Sequence, residues 1–80
     1  MQTKEAVARR ILELCAEKGL TVNALANASG LPPSTIYSML NEKSQNPGIV
    51  TIKKLCDGLD ISLQEFFASK RFEDLEQEIR

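Results

Sequence analysis

Histidine and tryptophan are absent from this chain, and its aromatic supply is Tyr37, Phe66, Phe67 and Phe72. Without histidine the commonest general base and the commonest metal ligand are missing. Only two cysteines occur, Cys15 and Cys56, far apart and each among apolar residues. Two isolated cysteines make no zinc ligand set. A disulfide would need a secreted setting, which nothing else suggests. Both therefore read as buried reduced thiols. No Gly-rich loop after a strand is present to cradle phosphate, and the carboxylates are scattered. A metal site, a cofactor and an enzyme are all unexpected.

Charge is also missing where it would be most useful. No residue between Lys18 and Glu42 carries one. That stretch is long enough to cross a bilayer, but Asn, Ser and Thr run through it and Pro32-Pro33 interrupts it, which is too polar for a lipid-facing helix. Lys4, Glu5, Arg9 and Arg10 crowd the start, unlike a signal peptide. The expectation is a soluble, cytoplasmic protein with no membrane contact.

What remains is a chain of good helix formers. Eighty residues with 42% apolar content suit one small domain. No long alternating β-branched run occurs, so the reading is all-α. Helix 1 is expected from about Lys4 to Lys18 with Thr3 as its cap, since Val7, Ile11, Leu14 and Cys15 share one face. Gly19 supplies a left-handed stop. Helix 2 starts after Thr21 and ends near Ser29-Gly30. Pro32 and Pro33 can sit only before or in the first turn of helix 3, whose Ile36, Leu40 and Met39 face inward. Asn46-Pro47-Gly48 marks a turn. Helix 4 follows from about Val50 to Leu59 with Ile52, Leu55, Cys56 and Leu59 apolar. Ser62 and Glu65 form a capping box for helix 5, where Leu63, Phe66 and Phe67 add core bulk. Phe72, Leu75 and Ile79, spaced by three and four, predict a sixth helical piece over about 70–79. The chain divides into a domain over 1–69 and an acidic amphipathic tail over 70–80.

Net charge is −1, unevenly spread. Residues 1–71 hold nine basic and seven acidic side chains, while the remainder holds Glu73, Asp74, Glu76 and Glu78 against Arg80. An acidic tail masks a slightly basic body.

Five short helices with Ser29-Gly30-Leu31 as the turn in the middle resemble the XRE, or lambda-repressor-like, helix-turn-helix family. The matching residues are Leu20-Thr21, Leu25-Ala26, Ser29-Gly30-Leu31 and Ser34-Thr35-Ile36. Asn41, Lys43, Asn46-Pro47, Thr51-Ile52, Leu55, Leu59, Ile61-Ser62-Leu63 and Glu65-Phe66-Phe67 continue the match, which covers about residues 7–67. The resemblance implies a compact five-helix DNA-binding domain with a short additional C-terminal helix and its helix-turn-helix at about 21–41. It implies a small bacterial or phage transcriptional regulator that binds double-stranded DNA as a homodimer, with helix 3 in the major groove.

On that footing Pro33, Ser34, Tyr37 and Ser38 are the expected base contacts. Serine hydroxyls make single bonds to base edges, and the Tyr37 ring can meet a thymine methyl. Thr21, Val22, Asn23, Asn27, Asn41, Lys43, Ser44 and Gln45 are the expected phosphate contacts, partly through the N–H groups that open helix 2. Arg9, Arg10, Lys53 and Lys54 read as solvated helix faces. Phe72, Leu75 and Ile79 are candidates for a dimer contact or for packing on their own domain.

The sequence also departs from the family. Val22 stands where many relatives carry a phosphate-gripping Gln. Pro33 stands where Arg, Gln or Lys often reads bases. Cys15 and Leu40 replace a common Arg–Glu pair, which avoids a lone interior charge. A second reading follows from these losses: a protein-interaction module on the same fold, an antitoxin or adaptor, with the acidic tail holding a basic partner.

Overall fold

The computed structural model describes residues 2–41 and 46–79. Among these, the chain folds as α1 (Thr3–Lys18), α2 (Val22–Ser29), α3 (Pro33–Leu40), α4 (Ile49–Leu59) and α5 (Leu63–Phe66), followed by a 3-10 turn over Lys70–Phe72. No strand occurs among the described residues.

Three of the helix ends are built alike. At Gly19, Gly30 and Asp60 the backbone turns left-handed, with φ of 64°, 68° and 58°. The next N–H then reaches back to a carbonyl of the last turn: Leu20 to Cys15 at 2.9 Å, Leu31 to Ala26 at 3.0 Å and Ile61 to Cys56 at 2.9 Å. This Schellman arrangement satisfies carbonyls that a helix end leaves open, and the apolar residue after the turn folds onto the core. Asp60 is the one non-glycine among the described residues to take this conformation, which short polar side chains tolerate best after glycine.

The core gathers Val7, Ile11, Leu14 and Cys15 of α1, Leu25 and Ala26 of α2, Ile36 and Met39 of α3, Ile52, Leu55, Cys56 and Leu59 of α4, then Ile61 and Phe66. Leu40 is only half-buried against it. Both cysteines are buried and free, and burial pushes each thiol's pKa up, so they remain protonated at neutral pH.

Gly58 lets α2 and α4 meet closely. A Cβ at that position would run into Ser29 Oγ and lie 3.0 Å from the Ser29 nitrogen. The Ser29 hydroxyl is buried there with no hydrogen-bond partner among the described residues. An unpaired buried hydroxyl carries its full desolvation cost. Ser29→Ala is therefore expected to stabilise the fold by about 1 kcal/mol. In a urea titration this appears as a higher midpoint at unchanged slope.

Two expectations need correction. Thr3 does not cap α1; it is the first helical residue, and its Oγ1 donates to Glu78 Oε2 at 2.8 Å. The tail is not a helix to Ile79. Ser69 caps a single 3-10 turn, and no helix is present among the described residues after Phe72. Ten residues with four nearby carboxylates are too short and too repulsive to hold an isolated helix. Phe72 instead closes an aromatic cluster, 5.0 Å from Phe67 and 6.3 Å from Phe66 between ring centres.

Arg10 is a further correction. It is 8% exposed, not a solvated face. Its Nε donates to the Phe66 carbonyl at 2.6 Å and its Nη2 to the Glu65 carbonyl at 2.7 Å. It thus satisfies the open C-terminal end of α5. Glu13 pairs with it and also accepts from Arg71 Nη2 at 2.8 Å, which ties α1 to the root of the tail.

Candidate nucleic-acid interface

Thr21 starts α2: its Oγ1 accepts from the Ala24 N–H at 3.0 Å, and its carbonyl from Leu25 at 3.0 Å. The N–H groups of Val22 and Asn23 precede the first helical acceptor and point out of the helix start, where the dipole favours an anion. Val22 turns its side chain toward the core and is half-buried, so only its backbone is offered outward. Leu25, Ala26 and Ser29 face inward, whereas Asn23 and Asn27 are exposed.

Pro32 holds an extended conformation before α3, and Pro33 occupies its first turn. The Pro32 carbonyl accepts from Thr35 at 3.0 Å, so the helix begins at once after the turn. Ile36 and Met39 are buried and fix the rotation of α3 about its axis. Pro33, Ser34, Tyr37 and Ser38 are thereby turned to solvent, with Tyr37 54% exposed. Positions 34, 37, 38 and 41 lie on one helical face, and Asn41 ends it, also exposed. The structure therefore brings the expected base contacts together on one surface. Lys43, Ser44 and Gln45 lie outside the described residues.

The electrostatics of this surface are those of hydroxyls, amides and helix ends. The nearest described cations in sequence stand on other helices, with Lys18 exposed in the last turn of α1. Arg9 pairs with Glu5 at 3.0 Å on α1. Lys53 donates to Asp57 on α4, and that hydrogen bond pushes its pKa up. Lys54 is exposed beside it. Among the described residues no group of three or more potential ligands stands close enough to hold a metal ion, and no helix is long and apolar enough to cross a membrane.

Of the three tail residues expected at a dimer contact, Phe72 packs against its own core, Leu75 is half-buried and Ile79 is 81% exposed. They do not form one stripe. Arg10 and Gly58, which hold α5 and α2 in place, were not singled out from the sequence as structural residues. A signal for Arg10 was present: it lies three residues after Val7 and four before Leu14, on the apolar face of α1.

Residues 10–70 match the family model of the Cro/C1-type helix-turn-helix DNA-binding domain. The chain belongs to the Cro/C1-type family. Among solved structures, this Cro/C1-type chain is similar to the prophage Lp1 protein 11, at 36% identity and a TM-score of 0.82, over 94% of this chain and all (100%) of that one. It is similar to the restriction-modification controller protein C.Esp1396I at 28% identity and a TM-score of 0.78, covering 94% of this chain and 95% of that one. The same controller protein bound to a 19 base pair DNA duplex matches at 29% identity and 0.78, over 91% and 96% of the two chains. The curated proteins contain no match. This is a DNA-binding domain of the regulator class, with the all-helical fold that the resemblance implied.

Proposed function

We propose that this regulator places α3 in the major groove of duplex DNA and reads bases through Ser34, Tyr37 and Ser38, with Pro33 against the groove wall. The observation that carries the reading is the rotation of α3: Ile36 and Met39 are buried, so these four residues face outward together. The α2 start at Thr21, Val22 and Asn23, with Asn27 and Asn41, sits on phosphates, and Lys43, Ser44 and Gln45 extend those contacts. The controller protein that matches this fold has itself been seen on a DNA duplex. The protein acts by binding in the cytoplasm, as a homodimer whose two α3 helices enter successive major-groove turns. Ile49 and Val50 at the start of α4 offer exposed apolar surface for the dimer contact.

Base readers and phosphate contacts separate in a titration. Ser34→Ala, Tyr37→Ala and Ser38→Ala are each expected to weaken binding to the preferred duplex by about 1 kcal/mol, roughly fivefold, at unchanged salt slope. Lys43→Ala is expected to weaken all duplexes alike and to flatten the salt slope by about one. Fluorescence anisotropy at several salt concentrations measures both. Readers whose loss changes nothing would place the interface elsewhere on the molecule.

A further inference from the structure

The tail is pinned at both ends. Its root is held by Phe72 in the aromatic cluster and by Arg71, which donates to Glu13 at 2.8 Å. Its tip is held by Glu78, whose carboxylate accepts from Thr3 Oγ1 at 2.8 Å in the first turn of α1. A carboxylate at a helix start also answers the helix dipole. Between these anchors lie Glu73, Asp74 and Glu76, all exposed. Glu78 further lines a cavity of about 380 Å³ together with Asn46 and Pro47, the residues that close the loop after α3. The tip of the acidic segment therefore stands beside Asn46 and Pro47, which closely follow Lys43 in the sequence.

We propose that residues 73–78 form an intramolecular strap that opposes DNA binding, by holding negative charge beside Asn46 and Pro47 until phosphate displaces it. The inference rests on the DNA reading above and adds its regulation. The body of the chain is only slightly basic, with nine basic against seven acidic side chains through residue 71, so a pinned acidic segment is a large share of the field that an approaching phosphate meets. Within a Debye length, about 10 Å at 0.1 M salt, that field is felt. Competition of this kind weakens as salt rises.

The test uses the full chain in three forms: wild type, the neutralised tail E73Q/D74N/E76Q/E78Q, and T3A, which removes the anchor without changing charge. Anisotropy on a mixed-sequence duplex is read at low and high salt. A glutamate-specific protease reports tail release with and without duplex. The neutralised tail is expected to bind about fivefold tighter at low salt, the gap closing as salt rises. T3A is expected to move in the same direction by about twofold, and duplex is expected to speed cleavage in the wild-type tail. Wild-type binding matched by both variants would leave the DNA reading intact and overturn the strap. A tighter neutralised tail, with T3A and the cleavage rate unchanged, would reduce the effect to net charge and also overturn it. Absence of binding by all three at low salt would overturn the strap and the DNA reading together.

Discussion

Arg10→Met is expected to destabilise the fold by about 3 kcal/mol, a fall in Tm of roughly 15 °C for a domain this small. Methionine keeps the apolar stem and removes the guanidinium, so packing is largely preserved. What is lost are the charged hydrogen bonds to the Glu65 and Phe66 carbonyls at the end of α5, each worth about 1.5–3 kcal/mol before relaxation. α5 is four residues long and cannot hold itself without such a partner. Arg10→Lys keeps the charge but lacks the planar fork, and should recover only part of the loss. Glu13→Gln should cost far less, about 0.5 kcal/mol, because its carboxylate is a third exposed and water screens the pair. Thermal and urea unfolding of the three variants give the order. Equal, small effects would mean that Arg10 is merely another surface cation.

Gly58→Ala is expected to destabilise by about 2 kcal/mol, against the usual sign. Inside a helix, exchanging glycine for alanine ordinarily stabilises by about 1 kcal/mol. Here the added Cβ meets Ser29 Oγ and stands 3.1 Å from the Ala28 carbonyl carbon. Backbone cannot yield as a side-chain tip can, so α2 must move off α4. Because α2 packs against α3 and carries the proposed phosphate contacts, the same shift should weaken DNA binding several-fold. Combining it with Ser29→Ala removes the hydroxyl from the clash, and the double variant should be less damaged than the sum of the two. A stabilised Gly58→Ala single variant would show that the two helices are not in contact at that point.

The parts of the fold that were legible from residues are those with local signals. Thr21, Gly30 and Pro33 each act within one turn of their own position, and α2 and α3 begin and end where they indicate. The orientation of α3 was readable for the same reason, since its apolar positions settle which side faces out. Arg10 was obscured because the carbonyls that it satisfies lie 55 and 56 residues away. Periodicity placed it on the buried face of α1, but charge suggested solvent, and long-range hydrogen bonding decided between them. The tail misled in the other direction. Its spacing of Phe72, Leu75 and Ile79 fits a helix, yet Phe72 packs on Phe66 and Phe67 and the chain makes only one 3-10 turn there. Val22 shows how a departure from the family pattern can be structural: its side chain packs against the core.

A neutral reading face is the feature on which the functional account depends, and selection of bound duplexes from a random-sequence pool tests it most directly. Enrichment of a palindromic motif with half-sites about 10 base pairs apart is expected, lost when Ser34, Tyr37 and Ser38 are replaced together by alanine while salt-dependent binding persists. Retention of duplex with no enriched sequence, or the same motif recovered by the triple variant, would contradict it.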